Sequence, residues 1–208
     1  MSDFIRRNVL GTAQENSGRI SGYGIRIYDP LDAGTEYVLR AKRSAKSQDV
    51  VAIHERIVDY KHLEPLTRTD VVCAFNHDAN RVLGRTTSGT MTLLVDARGM
   101  TYDTLPLPND PIIALTARGD IRGASFAGFE EKREFFRSGD QVLCHLLMRT
   151  INDIGPVTHP AYHSTSASQR SAELLPDETV SKWIDRMTAQ QRRRRTLVWL
   201  GLNRQRTN

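Results

Sequence analysis

The segment Arg118-Gly-Asp-Ile-Arg-Gly-Ala-Ser-Phe-Ala-Gly128 marks the change from helix to sheet in this chain. Before it, Asp110 to Ala117 carries a short helical pattern, which the Arg118-Gly119 pair would stop. After it, Ser125, Phe126 and Phe129 open an alternating, aromatic run of strand character. Glycines at 119, 123 and 128 leave room for tight turns and for the approach of another backbone. Ser125 thus stands among small residues at a helix-to-strand junction, where a nucleophile could be held within reach of a substrate backbone. A small polar residue in a turn is the plainer reading of the same serine. The order is not Gly-x-Ser-x-Gly after a strand and before a helix, so the α/β-hydrolase elbow fits poorly.

Upstream, residues 1–17 are polar with little period and are expected to be loose. Tyr23, Ile25 and Ile27 alternate in a strand closed by Asp29-Pro30, and Tyr37 to Leu39 forms a second. Ala41 to Gln48 reads as a loop, and Val50 to Tyr60 fits either period. Val71-Val-Cys-Ala-Phe75 is a buried strand running into Asn76-His-Asp78. Period 2 places His77 on the face of Val71, Cys73 and Phe75. Thr90 to Val95 and Met100 to Leu105 form a hairpin across Asp96-Ala-Arg-Gly99. Strand character breaks at the charged run Glu130 to Arg133 and returns at Val142 to Met148.

The 208 residues can bury one core plus a tail, and hydrophobic content of 39% is ordinary for a globular protein. No apolar run approaches the roughly 18 residues of a membrane span, and Met1 to Leu10 lacks a signal-peptide core. Two cysteines, Cys73 and Cys144, make no disulfide framework, so a reduced, cytosolic setting is expected. The net charge of +5 is unevenly placed: residues 159–208 hold nine basic and four acidic side chains, whereas residues 1–158 hold 20 of each. A neutral body gives no electrostatic footprint for nucleic acid, which is not expected as a partner.

His163 to Ser171 is rich in Ser, Thr, Ala and Gln, a linker by composition. From Asp177 a helix is predicted, with Val180, Trp183, Ile184 and Met187 at i, i+3, i+4 and i+7, followed by Arg192 to Arg195. Two apolar turns are too short to be stable alone. This stripe needs a surface: the body, a second copy or a scaffold segment. The division expected is a flexible N-terminus (1–17), a catalytic domain (18–162), a linker (163–176) and a basic helical tail (177–208). Many short strands with few helices suggest an α+β fold built on a mostly antiparallel β-barrel.

Three residues supply the parts of a hydrolytic triad: His77 at a strand exit, Ser125, and Asp153 before Gly155-Pro156. A serine hydroxyl needs a base to take its proton, and the imidazolium that forms needs an acceptor. At these residues the chain resembles the tailed-phage prohead protease family, capsid-maturation serine peptidases related in fold to herpesvirus assemblins. The motifs are Phe75-Asn-His-Asp78, Val82-Leu-Gly-Arg85-Thr86, Arg118-Gly-Asp-Ile-x-Gly-x-Ser-Phe126 and Pro156-Val-Thr-x-Pro-Ala-Tyr162. Gly22-Tyr23 and His54-Glu-Arg-Ile57 are looser matches to the family's opening strands, and nothing beyond about residue 165 matches.

The resemblance implies His77 as general base, Ser125 as nucleophile and Asp153 as third member, where the family usually has glutamate. Gly155 stands where the family often has serine, and His159 where it usually has an aromatic, so His159 is a rival third member. The implied reaction is peptide-bond hydrolysis without metal or cofactor. The implied substrates are scaffolding segments of the major capsid protein and the protease's own termini, inside an immature capsid in the host cell. Self-association is a further expected contact; a membrane is not. The departures also allow an inactive relative acting as a scaffold or assembly factor. A zinc site from Cys73, His77, Cys144 and His145 would need four convergent ligands at an unusual spacing. Arg85 and Arg122 lie near the motifs and could support an oxyanion, although solvated charge is the simpler role.

Overall fold

The computed structural model describes residues 4–9, 13–16, 18–42, 50–139 and 141–159. The expected linker and helical tail lie outside the described residues. Among the described residues, eleven strands and one α-helix follow in order: β1 (Phe4–Val9), β2 (Gln14–Asn16), β3 (Arg19–Arg26), β4 (Glu36–Lys42), β5 (Val50–Arg56), β6 (Val72–Ala74), β7 (Val82–Arg85), β8 (Met91–Asp96), β9 (Gly99–Thr104), α1 (Pro111–Ala117), β10 (Gly123–Ser138) and β11 (Gln141–Val157). A 3₁₀ segment, Lys61–Arg68, precedes β6 and buries Leu63 and Leu66. Among the described residues no helix is long and apolar enough to cross a membrane.

The strands form two sheets. One runs β1-β10-β11-β5-β4, with β6 also on β11 and β7 on β6; the other runs β2-β3-β9-β8. They share a core in which Ile20, Ile25, Met100 and Tyr102 meet Phe126, Met148, Ile151 and Ile154, closed by Leu63 and Ile112. The fold is therefore sheet-rich α+β, as expected, but it is not the closed barrel of that expectation. No strand pairing joins the two sheets among the described residues. The physical reason lies in β10 and β11, whose antiparallel pairing runs from Gly123↔Val157 to Ser138↔Gln141. Such a ribbon is too long for a small barrel wall. Its far end leaves the shared core and takes β5 as a parallel neighbour at Val142 to His145, while β6 meets the same edge further along at Asp153.

Three other expectations are corrected. The N-terminal segment is not wholly loose, because β1 pairs antiparallel with β10 and β2 with β3. Glu130 to Arg133 does not break a strand. It is a bulged part of β10, with register shifts between Ala127 and Gly128, Phe129 and Glu130, and Glu130 and Lys132. Arg133 there faces Glu55 of β5 at 3.9 Å and Glu130 of its own strand at 2.6 Å, so its charge is paired rather than solvated. In β3 the alternation slips at Gly24, between Tyr23 and Ile25. A Cβ at that glycine would lie 2.2 Å from Ile154 Cγ1, so the bulge lets β3 press against β11.

The hairpin of β8 and β9 and the helix α1 form where the sequence places them. Asp110 caps α1 by accepting from Ile112 N at 2.9 Å, with Pro111 in its first turn. The helix ends at Arg118, and Gly119 follows at φ +84°, a left-handed conformation that glycine takes without steric cost.

Candidate active site

Ser125 is the third residue of β10, flanked by Asn8 of β1 and Gly155 of β11, so it sits within a sheet and not in a turn. Ala124, Phe126 and Ala127 around it are buried in the core, which fixes the strand on which the hydroxyl is mounted. Ser125 itself has no exposed surface. Its Oγ lies 2.5 Å from His77 Nε2.

His77 does not continue the β6 face, as period 2 would require. Phe75 to His77 form a 3₁₀ turn in which Asn76 (φ 56°) and His77 (φ 58°) both take left-handed conformations. For two residues with side chains this is uncommon, and it persists only where the surroundings over-determine it. Phe75 N donates to Arg81 O at 3.0 Å, Asp78 N to Phe75 O at 3.1 Å and Arg81 N to Asp78 O at 2.8 Å. Asn76 adds two bonds to the end of β11: its Oδ1 accepts from Thr158 N at 2.8 Å, and its Nδ2 donates to Thr158 Oγ1 at 3.1 Å.

Asp153 comes from β11, opposite Val72 of β6. Its Oδ2 lies 2.6 Å from His77 Nδ1, and its Oδ1 accepts from Ala74 N at 3.0 Å. One carboxylate thus holds both the strand that delivers the turn and the ring at its end. The His77 and Asp153 side chains are 8% and 17% exposed. An ionised carboxylate only accepts hydrogen bonds, so Nδ1 carries the proton and Nε2 of the neutral ring is left as the acceptor for the serine hydroxyl. Ser125 to His77 to Asp153 is then one directed chain, suited to general-base activation of an alcohol.

Gly155 explains itself at this point. A Cβ there would lie 2.8 Å from Cys73 Sγ and 3.1 Å from Ala74 O, so β6 can reach Asp153 only because residue 155 has no side chain. Cys73 is fully buried, and its thiol is pushed far above its usual range, first by burial and then by the charge of Asp153. It therefore stays protonated and is no competing nucleophile.

The remaining candidates fall elsewhere. His159 is exposed beyond β11, while His77 Nδ1 is taken by Asp153. Cys73 lies in the shared core and Cys144 in a separate cluster, so the zinc ligands do not converge. No group of three or more metal-ligating side chains occurs among the described residues. Arg85 forks onto Asp70 at 2.8 and 2.5 Å, and Arg122 Nε donates to Gly119 O at 2.7 Å, so both are engaged away from Ser125. Sequence reasoning missed the link between Asn76 and Thr158, although both residues lie inside the quoted motifs; a surface Asn and Thr 82 positions apart give no pairing signal.

A family model for the caudovirus prohead serine protease matches residues 11–178. The chain belongs to this family. The match spans β2 to β11, including His77, Ser125 and Asp153. No curated protein and no solved structure matches the chain. Family membership makes this a prohead serine protease by descent, in the class that matures phage capsids.

Proposed function

We propose that this prohead protease is an active serine endopeptidase with Ser125 as nucleophile, His77 as general base and Asp153 as the acceptor that orients it. The observation that carries the reading is the unbroken hydrogen-bonded run from Ser125 Oγ through both ring nitrogens to Asp153. Family membership supports peptide bonds as the substrate class.

In this mechanism Ser125 Oγ attacks the scissile carbonyl carbon as its proton passes to His77 Nε2. The imidazolium formed is held by Asp153 Oδ2 through Nδ1. Collapse of the tetrahedral intermediate breaks the C–N bond, and His77 returns its proton to the leaving amine. Water then attacks the acyl-serine ester with His77 again as base, releasing the new carboxyl terminus and regenerating the hydroxyl. Because Ser125 has no exposed surface, acylation requires a movement that opens a path to its Oγ.

The substrates we assign are scaffolding segments of the major capsid protein and the protease's own termini, cut inside the immature head in the host cell. Co-expression of the chain with the major capsid protein of its virus tests this. The capsid protein should lose a terminal segment, seen by intact mass, and the Ser125→Ala chain should leave it whole. Unprocessed capsid protein inside assembled heads containing the wild-type chain would count against the reading.

A further inference from the structure

Two leucines stand out of the surface close to the catalytic turn. β9 ends at Thr104, but its alternation runs on: Tyr102, Thr104 and Pro106 are buried, whereas Leu105 and Leu107 are 45% and 75% exposed. Backbone bonds hold this run in place, Leu105 N donating to Thr90 O at 2.9 Å and Asp110 N to Leu107 O at 3.0 Å. Two side-chain contacts lay it along β7. Thr104 Oγ1 donates to Leu83 O at 3.2 Å, and Arg81 Nη2 lies 3.5 Å from Asp110 Oδ1. Between these ties Val82 is 49% exposed. Single exposed apolar side chains are ordinary on a protein surface, but three in adjoining stretches make a patch.

The patch is continuous with the triad. Val82 pairs with Ala74, whose N–H donates to Asp153 Oδ1 at 3.0 Å. Arg81 closes the turn that carries His77, its O accepting from Phe75 N and its N donating to Asp78 O. From Val82 through Ala74, Asp153 and His77 to Ser125 Oγ is a path of at most about 20 Å, the length of about six extended residues. We propose that Val82, Leu105 and Leu107 form a recognition surface for the capsid-protein segment that is cut. It takes apolar side chains at alternate positions of an extended chain, within about six residues of the scissile bond. The inference rests on the endopeptidase reading above. Leu105 and Leu107 lie about 7 Å apart along an extended chain, the repeat at which an extended peptide presents alternate side chains. Pro106 and Pro108 supply no backbone N–H, so side chains and not an added strand carry the contact.

The test compares the wild-type chain with Leu105→Ser/Leu107→Ser, whose changed side chains lie outside the shared core. Two readouts are taken: labelling of Ser125 by a small fluorophosphonate, and cleavage of the major capsid protein of its virus over a range of concentrations, with the cut located by mass. The variant should label at a rate within about two-fold of wild type, yet cleave with KM raised at least about ten-fold and kcat little changed. Leu105→Ile/Leu107→Met should recover most of the loss. The located cut should carry apolar side chains two residues apart, within about six positions of the broken bond. An unchanged KM, or a cut flanked by polar residues alone, would overturn the inference and leave Ser125 as nucleophile. Labelling and cleavage lost together would also overturn it, since the leucines would then support the site and not the substrate. A wild-type chain that neither labels nor cuts would remove the catalytic reading itself, and this inference with it.

Discussion

Asn76 and Thr158 hold each other in both directions, Oδ1 accepting from the Thr158 backbone at 2.8 Å and Nδ2 donating to its hydroxyl at 3.1 Å. The pair ties the left-handed turn carrying His77 to the strand carrying Asp153, so base and acceptor are referenced to one frame. Asn76→Ala should lower kcat about 10- to 100-fold with KM little changed, as a small misplacement of a reacting group does. Asn76→Gly keeps the backbone at ease at positive φ but lacks the amide, and should lose nearly as much. Near-wild-type kcat for the glycine variant would show that conformation alone matters.

Asp153→Asn should cost several orders of magnitude in kcat, about 10⁴ by analogy with other triads, because an amide can favour the wrong imidazole tautomer. His159→Ala should cost less than ten-fold. The comparison is read from initial rates of peptide cleavage, and the reverse ranking would make histidine the third member.

Gly155→Ala should destabilise the fold by about 1–3 kcal/mol, because its Cβ would press on Cys73 Sγ and the Ala74 carbonyl. The midpoint of chemical denaturation measures this. Activity should fall as well, since a displaced Ala74 loosens its bond to Asp153.

Asp70 predicts a pH effect away from the site. Hydrogen bonds from Arg85 and Thr87 hold its carboxyl down at about 2. A lowered carboxyl contributes stability that is fully present above its unfolded pKa, roughly 4, and is lost as pH falls through the folded value. Asp70→Asn should therefore lower Tm slightly at pH 7, the gap closing between pH 4 and 2. The pair is exposed, so the gap should also shrink in high salt.

His77, Ser125 and Asp153 were singled out by the family motifs in which they stand, and the structure brings the three side chains within hydrogen-bonding distance. The hairpin at Asp96 and the helix capped by Asp110 were legible through local turn and cap signals. What escaped was set by pairing between distant strands. Glu130 to Arg133 looked like a break because a charge run in a strand is stable only with partners such as Glu55, which lies some eighty residues earlier in the chain. β1 mixes apolar and charged residues without a hydrophobic period, and it joins the sheet through backbone pairing with β10. The left-handed His77 has no sequence signal, since it is imposed by its neighbours and not by its own preference.

The central claim is that Ser125 is the nucleophile, and a covalent adduct tests it most directly. Wild-type chain, in a preparation shown to cut its capsid protein, should be treated with a fluorophosphonate and its peptides weighed. The account predicts one phosphonylated residue, Ser125, with the adduct lost in Ser125→Ala and formed at least about 10³-fold more slowly in His77→Ala. An active preparation with no adduct at Ser125, or an adduct that persists in Ser125→Ala, would contradict it.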